Sequence, residues 1–522
     1  MIRKRRLLTA VAMVCTAAFV LTACGSDSGS SNEGTTAAGD PVSGGAGRAI
    51  MAGEPRSLDP ATLSNTWAHQ GILGNSLYGT LMINDTKTLD VTYTMAEDFS
   101  TADGGATFNL KLRPNLKFSD GTPLDAEAVK FNWERLKDPA LGSTSARYVA
   151  QIANLSVVDP ANLAVTMVTP TPHYSQTLIA SSMNWIASPA ALQKGQAGFD
   201  ENPIGAGPFT LTKWARQDSI ELAKNPTYYD APRPYLDTLT IRVAADTNQR
   251  YNTLSTGGAD LINESNWQTL DTAETAGFPT EIVPMGGGQY LSMNFRRAPF
   301  NDERARRAVS LAVDLDAMNT VVYSGKGEVP ETLFQESSPF YADIKLGEYN
   351  KAEAQKLFDE LAAEGKPVSF TFTSYPTAES KTAGEALQAQ LSAYKNVEAK
   401  VDVVDYAAAT AKMGTKDFDM VISSAIIQDP DSMWSTFHNK SPGNIIGVDD
   451  QELSDALDVG RTSQSQDERK AAYTTVQERL ADLTVGLWYI RAAPSTVTGK
   501  DVQGVTMYGS GSPLTDAMWI AK

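Results

Sequence analysis

Cysteine and histidine are nearly absent from this 522-residue chain. The two cysteines, Cys15 and Cys24, both lie near its start, and the three histidines are His69, His173 and His438. Beyond residue 24 there is therefore no thiol for a disulfide, a cysteine nucleophile or a thiolate metal site. The histidines are widely separated and match no zinc-site spacing, so no metal or cofactor is expected. Gly-x-Ser-x-Gly and His-Glu-x-x-His are missing too, which leaves an enzymatic reading without a motif. No second long apolar run follows the first 23 residues, which argues against a polytopic membrane protein. Basic residues are the minority: 44 Lys and Arg stand against 61 Asp and Glu, for a net charge of −17. That surplus disfavours nucleic acid as a partner, and solubility is a sufficient reason for it.

What is present begins with a basic patch, Arg3, Lys4, Arg5 and Arg6, and the apolar run Leu7 to Ala23. The run is shorter than the ~20 residues of a spanning helix. It ends in small residues, as a secretory signal does. Leu21-Thr22-Ala23-Cys24 resembles the lipobox of bacterial lipoproteins. The resemblance implies removal of residues 1–23, lipidation of Cys24, and a body held at the outer face of the cytoplasmic membrane or in the periplasmic space. An uncleaved anchor helix is the competing reading. In residues 25–47, 12 of 23 are Gly or Ser. Such a segment buries too little to fold and reads as a tether with a reach of roughly 25 Å.

The remaining body, about 475 residues, is too long for one small core and implies two or three domains. Residues 105–112 alternate as a half-buried strand, and Asp125 to Lys137 has helical spacing. Hairpins are expected at 153–168 and 207–225. From about 290 the pattern changes. A helix at Asn350 to Ala363, a strand at 367–373, a helix near 379–394 and a strand at 397–404 precede a short Ala-rich helix and the strand Phe418 to Ser424. This alternation predicts βαβ units and a largely parallel sheet. A helix follows at Asp467 to Leu483. The apolar stretch Leu487 to Ile490 then returns the chain to the first lobe. Two crossings, near Gly288 to Phe295 and near Leu487 to Arg491, make a two-stranded hinge. Gly286-Gly287-Gly288 reads as a loose hinge entry rather than an anion nest.

Several stretches in order resemble one family. They are Ser57-Leu58-Asp59-Pro60, Leu77-Tyr78-Gly79-Thr80-Leu81, Phe108 to Arg113 with Lys117 to Leu124, Gly205-Ala206-Gly207-Pro208-Phe209, Tyr290 to Asn294 with Pro299-Phe300, and Phe418-Asp419 with Asp429-Pro430-Asp431. The body is similar to the extracytoplasmic solute-binding proteins of ABC importers, in the dipeptide/oligopeptide/nickel-binding class (bacterial family 5). The resemblance implies an α/β, two-lobed periplasmic-binding-protein-like (type II) fold. Lobe I takes residues 48–77, 203–288 and 490–522, and an extra α+β subdomain, 78–202, is inserted in it. Lobe II takes 289–489. It also implies a monomer that is not an enzyme and that hands its solute to ABC transporter permease subunits.

Ligands of open α/β sheets sit beyond the carboxyl ends of strands, which points to the loop 425–434. In peptide-binding relatives an aspartate of this loop holds the peptide ammonium. Asp429 is the candidate, then Asp431, which could instead cap the next helix. Trp434, Tyr290, Asn294, Trp185, Asn184 and Trp67 are expected around the ligand. Arg296, Arg297 and Arg491 lie near the hinge, and none stands out as the partner of a ligand carboxylate. A di- or oligopeptide is the expected solute. An oligosaccharide, a metal chelate, or a tethered sensor without import remain alternatives. The resemblance implies that Asp429→Ala abolishes peptide binding and leaves the fold intact; undiminished affinity in calorimetry would contradict it.

Overall fold

The computed structural model describes residues 40–521, so the expected signal peptide 1–23, Cys24 and most of the expected tether lie outside the described residues. The expected end of the tether at residue 47 is two residues late, because the first strand already starts at Ala46.

Lobe I is built on a seven-stranded mixed sheet. Its strands are β1 (Ala46–Met51), β2 (Phe209–Ala215), β3 (Ser219–Lys224), β4 (Thr238–Val243), β5 (Leu261–Glu264), β6 (Thr280–Ile282) and, after lobe II, β12 (Ser495–Thr498). The order is β6-β12-β5-β1-β4-β3-β2, with β1 parallel to β4 and β5. Met51, Leu73, Tyr78, Trp185, Leu239 and Leu261 fill its core. The inserted subdomain is a four-stranded antiparallel sheet, in the order Ala96–Ser100, Thr107–Leu112, Asn162–Met167 and Ile152–Asp159. The helix Ala126–Arg135, capped by Asp125, packs Val129 and Trp133 into it.

Lobe II holds β7 (Gly286–Met293), β8 (Val368–Ser374), β9 (Val397–Val403), β10 (Met420–Ile427) and β11 (Gly486–Ile490), in the order β9-β8-β10-β7-β11. The expected largely parallel sheet is only partly so. β9, β8 and β10 are parallel, but β7 runs antiparallel to both β10 and β11. The reason is topological: β7 is the strand that carries the chain away from lobe I, and its neighbours run back toward it. Alternation along β10 sends Met420 and Ile422 to one face, under α2 (Leu315–Tyr323) and α3 (Ala378–Leu391). It sends Val421, Ala425 and Ile427 to the other, under α4 (Ser432–Phe437), α5 (Gln451–Thr462) and α6 (Gln466–Leu483).

The chain crosses between the lobes at 283–285 and 491–494, between β6 and β7 and between β11 and β12. Arg491 ties the two crossings together. Its guanidinium is 3 % exposed. Nε donates to Glu328 Oε1 at 2.6 Å, Nη1 to the Met285 and Leu333 carbonyls at 3.1 Å, and Nη2 to the Thr332 carbonyl at 2.9 Å. Burial lowers its pKa against the opposing pull of Glu328. Arg491 is thus a structural staple, with no donor directed at a ligand.

The glycine run at the hinge is not loose. All three residues lie in β7, paired with β10. Gly287 has φ +65°, and a Cβ there would sit 2.0 Å from the Ala425 carbonyl oxygen. Gly287→Ala is expected to lower unfolding stability by roughly 2–4 kcal/mol through strain and crowding together. Urea denaturation followed by tryptophan fluorescence measures this, and an unchanged midpoint would contradict the packing.

Candidate functional site

β8, β9, β10 and β11 all point their carboxyl ends toward lobe I, where open α/β sheets carry their ligands. The lobes touch on two flanks of this end. On one, α1 (Trp267–Thr275) of lobe I meets the end of α2. Gln268 Nε2 donates to Ser324 Oγ at 2.8 Å, and Lys326 Nζ pairs with Asp271 at 2.9 Å. Trp267 Nε1 donates to the Arg491 carbonyl at 2.9 Å, and its ring packs against the cores of both lobes. On the other flank, His173 Nε2 lies 3.0 Å from the Ser463 carbonyl, Asn84 Nδ2 donates to Gln428 Oε1 at 3.3 Å, and Leu89 packs on the lobe II core. The cavity that Lys87, Leu89, Met285, Phe334, Ser338 and Gln428 help to line is about 10 Å³, room for about one water. Larger cavities of about 690 and 260 Å³ belong to lobe II alone, and one of about 180 Å³ belongs to lobe I with its subdomain.

Between the flanks the lobe II sheet has a bare end. Helices α2 and α3 cover β10 as far as Ile422, and on the same face Ser424 and Ile426 are exposed. Ile426 is 38 % exposed. Gln289 is the register partner of Ser424, and Tyr489 OH donates to Gln289 Oε1 at 2.7 Å. Tyr323 OH donates to Glu379 Oε1. Burial first, and Glu379 next to them, hold the Tyr323 and Tyr489 phenols well above their ordinary pKa, so both remain donors. This surface offers an apolar floor, hydroxyl and amide groups, and one carboxylate.

The residues expected from sequence are mostly elsewhere. β10 runs to Ile427, so the expected loop 425–434 shrinks to residues 428–431 before α4. Asp429 turns to the other face of the sheet. Its side chain is 11 % exposed and pairs with Arg469, itself 3 % exposed, at 2.7 Å. Oδ1 also accepts from the Asp431 N–H at 2.9 Å, while Oδ2 is buried with no partner among the described residues. Burial opposes the Arg469 charge, but Asp429 outweighs it and the Arg469 pKa is raised. Asp431 does not cap α4 through its side chain; it makes a two-point pair with Arg461, at 2.8 and 3.1 Å. Trp434 donates to Asp458 at 2.7 Å and lies with the His438 ring and the Arg461 guanidinium each 4.5 Å from its own ring centre. Its polar atom and its ring are thus engaged within lobe II.

Tyr290 is 1 % exposed and stacks on Trp488 at 4.4 Å, inside lobe II. Asn294 is buried at the far end of β7, donating to the Lys416 and Phe418 carbonyls. Trp185 is buried in lobe I with Nε1 on Asn75, and Asn184 holds Leu81 and Met82 through their backbone. Asn294, Trp185 and Asn184 are core residues whose buried polar atoms have partners, and Tyr290 is one through its buried ring. Trp67 is half-buried in lobe I, where its carbonyl accepts from Asn263. Arg296 donates to the Asn444 and Ile445 carbonyls, and Arg297 pairs with Asp417 and Asp419, away from the hinge.

Glu379, Tyr323, Tyr489, Gln289 and Ile426 at this sheet end, and Trp267 beside it, were not singled out from the sequence. One signal was available: extending the alternation of β10 by two residues puts Ser424 and Ile426 on the face whose helices stop short. The tyrosine–glutamate contact joins residues 56 apart and left no local pattern. Among the described residues no group of three or more His, Cys, Asp or Glu is placed to hold a metal ion, and no helix is long and apolar enough to cross a membrane.

Three comparisons bear on this geometry. The family profile described as bacterial extracellular solute-binding proteins, family 5 Middle, matches residues 90–445. The chain is 28 % identical over 352 residues to the glutathione-binding protein GsiB of Escherichia coli strain K12, covering 67 % of each. Two solved structures share the fold. HbpA2 from Haemophilus parasuis has a TM-score of 0.78 at 21 % identity, over 92 % of this chain and 100 % of that one. The oligopeptide-binding protein AppA from Bacillus subtilis, in complex with a nonapeptide, has a TM-score of 0.73 at 21 % identity, over 92 % and 100 %.

The Asp429–Arg469 pair revises the expectation that Asp429→Ala leaves the fold untouched. Removing one partner strands a buried guanidinium, so Asp429→Ala should lose about 3–5 kcal/mol of stability. Adding Arg469→Met should recover much of it. Chemical denaturation of the single and double variants checks this; a single variant as stable as the parent would contradict it.

Proposed function

This chain belongs to family 5 of the bacterial extracellular solute-binding proteins, the receptors of ABC importers, and from that membership we propose that it captures a di- or oligopeptide between its closing lobes, held to the membrane by lipid on Cys24. The observation that carries the reading is the bare end of the lobe II sheet at Ser424 and Ile426, on the side where Trp267 of lobe I reaches the lobe II core. An apolar side chain beside hydroxyl and amide groups is the kind of surface that holds a small solute. Closing two lobes over a small solute removes water and strengthens each polar contact with it. Relatives support the peptide class: GsiB is named for glutathione, itself a tripeptide, and AppA was solved with a nonapeptide. We assign Asp429, Asp431 and Trp434 to the flank of the cleft, where they brace the segment that follows β10, rather than to ligand contact.

The crossings at 283–285 and 491–494 allow the lobes to rotate about one axis, and the flank contacts are few enough to break. Protein stripped of solute should therefore open. Small-angle scattering before and after adding back the small-molecule fraction released from the purified protein should show a smaller radius of gyration with solute bound. An unchanged radius with bound solute confirmed by mass spectrometry would contradict capture by closure.

A further inference from the structure

The carboxylate at the bare sheet end has no counter-charge. Glu379 stands in the first turn of α3, and Thr377 caps that helix through its own side chain. A helix N-terminus accounts for a glutamate that faces solvent. It does not account for one turned onto Tyr323, a residue only 7 % exposed whose hydroxyl donates to it. Asp429 and Asp431 are both taken up by arginines, whereas among the described residues Glu379 enters no ion pair. The two phenols near it are held in their neutral form by burial, so they can donate hydrogen bonds and cannot cancel its charge. A half-buried carboxylate in a closing, water-poor site is expensive to leave unpaired. The cation that balances it must then arrive with what the site binds. Ile426, exposed along the same sheet end, provides an apolar surface for the rest of that molecule.

We propose that Glu379, positioned by the Tyr323 hydroxyl, receives a cationic group of the captured solute, an ammonium or guanidinium, while Ile426 packs against an adjoining apolar part. This rests on the solute-capture reading above and replaces Asp429 as the anchor.

The test uses stripped full-length protein and matched probes that differ in one cation: trialanine against N-acetyltrialanine, glucosamine against N-acetylglucosamine, and hexylamine against hexan-1-ol. Calorimetry should find at least one cationic probe that binds, with its neutral counterpart at least about tenfold weaker, the range of one charge-assisted contact. Glu379→Gln should weaken that cationic probe by a similar factor and leave the neutral one unchanged, a split that a merely structural role would not produce. Tyr323→Phe, which keeps the ring and removes the donor, should weaken the cationic probe by a smaller factor, and it serves if Glu379→Gln does not fold. Equal affinity of a cationic and a neutral partner, full affinity in Glu379→Gln, or no binding by any cationic probe would overturn the assignment. A neutral probe that binds and shrinks the radius of gyration would end the cation claim and leave capture standing. A protein that releases no solute and never closes would end the capture reading itself.

Discussion

Arg491 is the residue on which the two-lobed arrangement turns. A guanidinium buried without partners is among the least favourable groups a protein can hold. Here Glu328 and the carbonyls of Met285, Thr332 and Leu333 receive its N–H groups. Two of those carbonyls belong to the lobe II loop between α2 and the helix Lys351–Ala363, and one to the first crossing. The second crossing therefore cannot shift without the first. Arg491 thus bonds the second crossing directly to the first. Gly287 and Gly288 allow the strand leaving the hinge to press backbone to backbone against its neighbours, where a Cβ would meet the Ala425 and Ile490 carbonyls.

Once the hinge is fixed, the direction of each lobe II strand follows. β7 leaves the hinge and the other four return toward it, so their carboxyl ends gather opposite lobe I. The two faces of the sheet then divide the work. One face carries two ion pairs, the buried Asp429 with Arg469 and the half-buried Asp431 with Arg461, that brace the return from β10. The other runs out of helix cover at Ser424 and leaves hydroxyls, an amide, an isoleucine and an uncompensated carboxylate. The carboxylates of the first face pair with arginines, whereas Glu379 on the second accepts only from the Tyr323 hydroxyl among the described residues.

Much of the fold was legible in the sequence. Asn350 capping its helix, the hairpin turn at Asp159 to Asn162, and the strands at Val368–Ser374 and Val397–Val403 follow local patterns of spacing and turn chemistry. The type II fold and family came from motifs that recur in order. The site was much less legible, for a physical reason. A tryptophan or aspartate near a strand end looks the same in sequence whether it faces a cleft or a buried arginine. Trp185 and Tyr290 were taken by cores, and Asp429 by Arg469, 40 residues further along the chain. Strand direction was misjudged because alternation of strands and helices does not reveal which strand enters from another lobe.

The central claim is that solute is held between the lobes against the bare end of the lobe II sheet. A crystal structure of protein isolated from its producing cells with solute retained tests this most directly. The expected result is solute density over Ser424 and Ile426. Density confined to the lobe I cavity beside Tyr228 and Asp516, or to the outer cavities of lobe II, would contradict it.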